Sequence, residues 1–411
     1  MRRPVTSFAR AVAAIVLVGG CAGASTHTVS KAEATSTTTK VAQTTKATGG
    51  TSKKTTTTTT TAAATATDND DTPSDERRPT KVKTITEGHL TPKSVVASQA
   101  GLFFAQNMVY SHTINVYDRT YALVKSIPDS VTLADWGIDG HPGTSKGGPV
   151  ELAVTPDGTK AYATNYQMYG AGFTHPGNDD CAKGNWDHSF VYRIDTKTLE
   201  IDQVVEVGAV PKYVAVTPDA AHVLVTNWCG YDLTIVDAKA AKATATIPLG
   251  RFPRGIAVTP DSKTAFIAVM GSSDIAVVDM KTHAVDWIKG VGSGPRHLVI
   301  DQEAKFLYAT LNGDGKVAKI DLATRTVVAR VASPSQPRSM TIAPDGRSLY
   351  VVNYDSDAVS KIRTSDMTQL QRVPTGHHPI GITYDDATAQ VWVSCYSGSL
   401  QVFADRATGT P

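Results

Sequence analysis

The sequence predicts an all-β fold made of seven copies of one four-stranded antiparallel unit. A proline recurs every 42 residues in the C-terminal half, at Pro211, Pro253, Pro295, Pro337 and Pro379. A strand that ends in aspartate recurs with the same 42-residue period, at Asp195, Asp237, Asp279 and Asp321. Between these markers, short runs of β-branched and aromatic residues alternate with turn residues. A repeat of this length with four short strands is typical of one blade of a β-propeller.

Each repeat can be followed strand by strand. The second strand ends in asparagine in its clearest copies, residues 223–227 and 349–353. A Thr-Pro-Asp turn, as in residues 217–219, comes before it; proline presets φ there and aspartate suits the next turn position. Two more copies begin upstream at Pro92 and Pro149, which brings the number of blades to seven. A β-helix or a sandwich fits this repeat length and strand number badly.

The two ends of the repeat region complement each other. The last copy, residues 380–404, contains three strands instead of four. Residues 81–86 have the pattern of the missing strand, and Gly88 and Pro92 follow them as in the other repeats. We therefore expect the N-terminal strand to complete the last blade, which closes the ring and leaves no open sheet edge.

These strand signatures resemble the YVTN β-propeller repeat family, and the units together are similar to the YncE-like propellers of bacterial envelopes. The resemblance covers roughly residues 81–405. It implies a seven-bladed β-propeller. It implies little about activity, because propellers of this kind include binding proteins, hydrolases and oxidoreductases.

The N-terminus has the pattern of an export signal over residues 1–20. Arginines in the first ten residues precede an apolar run, residues 11–18, that is far shorter than the ~20 residues of a membrane-spanning helix. The run ends in a Val-Gly-Gly-Cys sequence that resembles a bacterial lipobox, in which Cys21 becomes the lipidated first residue. Ordinary cleavage after Ala24 is the alternative. We predict a lipid-anchored protein of the cell membrane that faces the extracytoplasmic side.

Residues 21–78 form a linker between this anchor and the propeller of residues 79–411. Threonine dominates the linker, and large apolar side chains are almost lacking. Such a composition cannot bury enough surface to offset its ordering entropy, which predicts a disordered stalk. Its threonines either carry O-linked sugars or remain unmodified.

Two insertions interrupt the repeat, and both fall on one face of the second blade. The interval from Asp118 to Pro149 is 31 residues, and that from Asn165 to Asp195 is 30, where other repeats have 16 and ten. Long loops on a rigid scaffold often carry function. Aromatic and imidazole side chains here, together with one on the neighbouring blade, suggest recognition of a sugar or peptide: Trp136, His141, Tyr166, Tyr169, His175, Trp186, His188 and Trp228. Their spacing matches no metal motif, so we predict no metal, and solvated loop polarity is the alternative.

The remaining cysteines support a rigid rim. Cys181 lies in the second insertion and Cys229 in the equivalent loop of the next blade, on the same face. A Cys181–Cys229 disulfide is therefore expected in an oxidising compartment, and three unpaired thiols are the alternative. Cys395 occupies a strand position and is interpreted as a small buried apolar residue.

A basic residue follows the recurring proline in five of the seven blades, at Lys93, Lys212, Arg254, Arg296 and Arg338. These residues begin the inner strands, so they should surround the mouth of the central channel; Val150 and Ile380 interrupt the set. Convergent cations attract anions, and arginine binds carboxylates and phosphates through two parallel hydrogen bonds. The competing interpretation is structural, with each side chain paired to a carboxylate of a neighbouring blade.

These observations favour a monomeric, non-enzymatic binding protein without a cofactor, whose propeller face binds a glycan, peptide, protein or anionic ligand. The alternatives are a lactonase-like hydrolase acting at the central channel and, more remotely, a quinone-linked redox protein. No Cys-x-x-Cys-His haem site or Gly-x-Ser-x-Gly nucleophile motif is present in the sequence. A net charge of +2 gives no indication of a nucleic-acid partner.

Overall fold

The computed structural model of the protein describes residues 71–182 and 185–407. The predicted signal sequence, the lipidation site Cys21 and most of the threonine-rich linker lie outside the described residues. Within them, no helix is long and apolar enough to cross a membrane. The described residues include three short 3-10 helices, at Ser74–Glu76, Leu133–Trp136 and Tyr354–Ser356.

Seven antiparallel sheets form the seven predicted blades. The first strand of the chain is β1 (Arg77–Ile85). Blade 1 contains β2 (Pro92–Ala97), β3 (Leu102–Asn107), β4 (Thr113–Asp118) and β5 (Leu123–Pro128). Blade 2 contains β6 (Ser130–Val131), β7 (Ser145–Val154), β8 (Lys160–Tyr169), β9 (Ser189–Asp195) and β10 (Glu200–Val207). Blade 3 contains β11 (Pro211–Val216), β12 (His222–Asn227), β13 (Asp232–Asp237) and β14 (Lys242–Pro248).

The remaining blades repeat the same order from the first strand to the fourth. Blade 4 contains β15 (Pro253–Val258), β16 (Thr264–Val269), β17 (Ile275–Asp279) and β18 (Val285–Ile288). Blade 5 contains β19 (Pro295–Ile300), β20 (Phe306–Leu311), β21 (Lys316–Asp321) and β22 (Thr326–Ala332). Blade 6 contains β23 (Pro337–Ile342), β24 (Ser348–Asn353), β25 (Ala358–Arg363) and β26 (Gln369–Pro374). Blade 7 contains β27 (Pro379–Asp385), β28 (Gln390–Cys395) and β29 (Ser399–Ala407), with β1 as its fourth strand.

The predicted closure of the ring is confirmed. Strand β1 pairs with β29 in antiparallel register, with Lys81 opposite Phe403 and Ile85 opposite Leu400. Side chains also join blade 7 to blade 1, because the Arg119 guanidinium donates to both carboxylate oxygens of Asp385 at 2.8 and 3.0 Å. The last blade is thus fixed from both ends of the chain.

Blade 2 has a short fifth strand in addition to the four that were predicted. Strands β7 and β8 extend beyond the common blade length, and β6 pairs with the extension at Ser130–Lys146 and Val131–Ser145. The first insertion folds back onto this extended hairpin because the hairpin would otherwise expose unpaired backbone groups.

The core lies between adjacent blades, and the outermost strand of each blade is the least buried. Leu224 of blade 3 shares one apolar cluster with Ile256 and Ile267 of blade 4. Strand β24 is buried along its whole length, whereas the outer strand β22 alternates between exposed and partly buried residues. A strand covered on both faces is apolar throughout, whereas one with a solvated face alternates. Cys395 is buried and free, as expected.

Candidate functional site

Both insertions of blade 2 meet on one side of the propeller. Ser130 pairs with Lys146, and Lys146 pairs with Tyr169 on the next strand. The insertions therefore continue the same end of blade 2, as their positions in the repeat suggest. Tyr166 and Tyr169, which the sequence places in a loop, belong to strand β8 instead.

The predicted rim residues lie in several places and do not line one cavity. Trp136 and His188 line an open cavity of about 400 Å³ beside Glu206 and Asp232. His141 is stacked on Phe173, with ring centroids 4.1 Å apart. Tyr169 lines a separate cavity of about 460 Å³. His175 is exposed, and its backbone N–H donates to Asp187. The three remaining aromatic residues pack together near the channel: Tyr166, Trp186 and Trp228.

The disulfide between Cys181 and Cys229 is present, with the Cα atoms 5.1 Å apart. It joins the second insertion of blade 2 to the loop between β12 and β13 of blade 3. Two residues before it, Asp179 accepts a hydrogen bond from the Tyr166 hydroxyl at 3.2 Å. Asp179 also forms an ion pair with Lys212. The covalent link thus holds an acidic side chain above the inner strand of blade 3.

The predicted basic residues each occupy the second position of a first strand. Four of them are almost fully buried, with Lys93, Lys212 and Arg254 at 5% exposure and Arg296 at 4%. Arg338 is partly buried. In all five strands the pairing register shifts immediately after the proline. Such a β-bulge releases a residue from the ladder and redirects its side chain, which explains why the basic position behaves alike in each blade. We call these five residues the cation ring.

Two carboxylates reach the cation ring within the described part of the chain, and both come from blade 2. Glu151 Oε1 lies 3.8 Å from Lys93 Nζ and 4.0 Å from an Arg254 nitrogen. The other carboxylate, Asp179, pairs with Lys212. The structural interpretation requires a carboxylate beside every basic residue. It therefore fits the side of the ring formed by Lys93, Lys212 and Arg254.

Arg296 and Arg338, on blades 5 and 6, have no such partner. Among the residues that the structure describes, Arg296 forms no hydrogen bond or ion pair although it is almost fully buried. Arg338 donates to Gln336 at 2.9 Å and lies 3.9 Å from the ring centroid of Tyr354. Its Nε atom is buried and has no hydrogen-bond partner in the described chain. Unpaired guanidinium groups are costly to bury without a counterion.

Three of the cations have pKa values below their ordinary values, because they are buried close to other positive charges. Burial, together with the Arg254 charge, lowers the pKa of Lys93 well below its ordinary value. Burial lowers the pKa of Lys212 to about 8, against the opposing effect of Asp179. Burial and the Arg254 charge also lower the pKa of Arg296. An added negative charge at this place would relieve all three shifts.

Sequence reasoning missed the residues that follow the basic position. Glu151, Tyr213 and His297 lie next along the inner strands β7, β11 and β19, and they share the channel with the cation ring. The Tyr213 hydroxyl oxygen lies 2.9 Å from His297 Nε2. Burial, with the Arg254 charge, lowers the pKa of His297 to about 3, so its imidazole is neutral. The signal for these residues was available: each is polar at a position that holds glycine in two other blades.

A metal centre finds no support in the described residues, which contain no group of three or more His, Cys, Asp or Glu side chains placed to hold an ion. The channel brings together the five cations, the Glu151 and Asp179 carboxylates, aromatic faces and a neutral Tyr–His pair.

Comparison with known proteins agrees with the fold. Residues 187–366 match the family model described as YNCE-like beta-propeller. A solved chain of Kuenenia stuttgartiensis hydrazine synthase is similar in structure, with a TM-score of 0.61 over 79% of this chain and 98% of that chain. The two are 17% identical, so the likeness concerns the fold alone. No curated protein matches by sequence.

Proposed function

We propose that this chain, a seven-bladed β-propeller that matches the YNCE-like family model over residues 187–366, binds an anionic ligand at the mouth of its central channel. The fold supports a binding or interaction scaffold. The protein acts without catalysis, and the cation ring is its recognition element. The lipid on Cys21 and the threonine-rich linker would hold this propeller at the extracytoplasmic face of the membrane.

The observation that carries the proposal is the state of Arg296. The Arg296 side chain is 4% exposed and forms no hydrogen bond or ion pair with any described residue, although the more distant Glu151 charge acts on it. A buried basic side chain with a purely structural role would pair with a carboxylate or a carbonyl. Lys319 is an example, because its Nζ donates to the carbonyl of Thr364 at 2.8 Å. The guanidinium fork of Arg296 is therefore available to a ligand carboxylate or phosphate.

The charges around Arg296 support the same proposal. Five cations converge on the mouth, and two carboxylates offset them within the described chain. A mouth with excess positive charge concentrates anions and accelerates their association, and both effects weaken as salt is added. Aromatic faces lie beside the cations, with Lys212 Nζ 4.4 Å from the ring centroid of Tyr166 and 5.2 Å from that of Trp228.

The hydrolase alternative depends on Glu151, one of the two carboxylates that reach the cation ring in the described part of the chain. Burial raises the pKa of Glu151 above its ordinary value, although the charges of Lys93 and Arg254 oppose that shift. Lactone hydrolysis by the purified protein, abolished by Glu151→Gln, would favour the hydrolase over the binding protein.

The test is anion binding by the purified full-length protein, measured by isothermal titration calorimetry with succinate at low ionic strength. Arg296→Ala should weaken binding by roughly tenfold or more, because a charge-assisted hydrogen bond contributes about 1.5–3 kcal/mol. Arg372→Ala is the matched control, since Arg372 is exposed on the outer strand β26 and its loss changes the net charge equally.

The same variant separates the ligand role from the structural role. Arg296→Ala should leave the urea midpoint of unfolding unchanged or higher, because it removes a buried charge that lacks a partner. Equal succinate affinity in the Arg296→Ala and Arg372→Ala variants would refute the proposed function, as would the lack of saturable binding in the wild type.

A further inference from the structure

The cation ring consists of two unlike halves. Blades 1 to 4 contribute three cations together with Glu151 and Asp179, so most of the charge on this side is compensated. Blades 5 and 6 contribute Arg296 and Arg338, which form no ion pair with any residue that the structure describes. Both carboxylates belong to blade 2, which is as far from blade 5 as a seven-membered ring allows.

Both halves nevertheless face one space, because the Tyr213 hydroxyl oxygen of blade 3 lies 2.9 Å from His297 Nε2 of blade 5. The charge of Arg296 contributes to the low pKa of Lys93 across the ring, and the charge of Glu151 opposes the low pKa of Arg296. A ligand at the mouth is therefore within electrostatic reach of both halves at once.

Because the cation ring has two halves that differ in charge compensation, we infer that the ligand carries two separate anionic groups, with the chemistry of a dicarboxylate. One carboxylate binds Arg296 and Arg338, and the second binds the half formed by Lys93, Lys212 and Arg254. This inference rests on the proposed function and specifies its ligand class.

The compensated half still has donors to offer. Glu151 lies 3.8 Å from Lys93 and 4.0 Å from Arg254, which is beyond hydrogen-bond distance. The N–H groups of Lys93 and Arg254 therefore do not donate hydrogen bonds to Glu151. A ligand carboxylate can approach these donors without displacing Glu151. A compact dianion such as phosphate places its charge at one point and can satisfy one half only.

The segment between the two anionic groups should accept hydrogen bonds. The backbone N–H of Met340 donates to His297 Nδ1 at 3.5 Å, so the neutral ring carries its proton on Nε2 and donates it to the Tyr213 oxygen. The Tyr213 hydroxyl hydrogen is then left to point at the ligand. A hydroxyl or carbonyl oxygen between the carboxylates would accept it.

The test compares three probes by calorimetry on the full-length protein at one ionic strength: acetate, succinate and inorganic phosphate. Succinate should bind at least tenfold more tightly than acetate or phosphate, because its second carboxylate binds intramolecularly once the first is held. Arg338→Gln should reduce the succinate affinity to the acetate level while acetate binding to the other half persists. Arg372→Ala again serves as the control for net charge.

The outcomes separate this inference from the proposed function. Acetate or phosphate binding as tightly as succinate would overturn the dicarboxylate inference and leave the anion site standing. No saturable binding of any probe would overturn both. Because Arg338 is only partly buried, its glutamine variant should fold, and Arg296→Gln provides a second test of the same half.

Discussion

Replacing Lys361 by methionine should be among the most damaging single changes in the propeller. Lys361 Nζ lies 2.7 Å from Asp405 Oδ1, and the two side chains are 1% and 0% exposed. The ammonium also donates to the carbonyl of Arg77 at 2.7 Å, and the Tyr350 hydroxyl donates to Asp405. These contacts connect blade 6 to both terminal strands, β29 and β1, where the ring closes.

The expected loss follows from the charge that Lys361→Met leaves behind. Removing one partner of a buried pair costs about 3–5 kcal/mol, because the other charge remains buried without compensation. Equilibrium unfolding in urea, followed by tryptophan fluorescence, measures this loss at about pH 7. The double variant Lys361→Met with Asp405→Asn should recover most of it, because no charge is then left.

The pH dependence provides a second signature. Burial raises the pKa of Asp405, and without the lysine nothing of comparable strength opposes that shift. An acid whose folded pKa exceeds its unfolded value binds protons preferentially in the folded state, so the folded variant gains stability as pH falls through the raised pKa. The deficit of the Lys361→Met variant should therefore shrink as the pH is lowered from about 7.

Lys319 offers a matched control one repeat earlier, 42 residues along the chain. It is 8% exposed, and its Nζ donates to the carbonyl of Thr364 and lies 4.0 Å from the ring centroid of Phe306. Lys319→Met loses one hydrogen bond and should cost roughly 1 kcal/mol. Equal losses for Lys361→Met and Lys319→Met, or a Lys361→Met deficit that does not change with pH, would refute the reasoning.

Three further predictions follow from other contacts. Replacing Cys181 and Cys229 together by serine should lower the free energy of unfolding by up to about 4 kcal/mol, the chain-entropy value for a sequence separation of 48; an unchanged urea midpoint would contradict this. Because burial lowers the pKa of Lys212 to about 8, the affinity for succinate should fall as the pH rises from about 7 to 9.5. As a control, a variant with methionine at both Lys93 and Lys212 retains only the arginines of the cation ring and should bind succinate weakly at every pH. Deleting residues 77–85 exposes the edge of β29 and should cause aggregation measurable by light scattering, which a synthetic β1 peptide should suppress.

Most of the fold could be predicted because the repeat is regular. The 42-residue period locates the inner strands, the missing fourth strand of the last repeat identifies β1, and the position of Cys229 in an equivalent loop identifies its partner. These inferences need only the position of a residue within its blade. They fail where the chain leaves the period, as in β6 and the extended β7–β8 hairpin.

The candidate site was predictable only in part. The cation ring follows from the repeat, but Glu151 escaped notice because the basic position of blade 2 holds Val150, and the charge comes one residue later. Asp179 lies in an insertion whose path depends on the disulfide and on Tyr166, neither of which any periodicity encodes. The predicted rim residues were scattered for a related reason, since part of the insertion continues as strand and buries Tyr166 beneath the loop.

Closure by β1 has a consequence for the topology of the chain. Arg77 lies directly opposite Ala407 in the antiparallel register, so the described propeller starts and finishes at one place on its outer edge. A short peptide could join these two points, and new ends could then be opened at the exposed turn 281–284. Such a circular permutant would keep every blade intact and move the attachment point of any tether to blade 4.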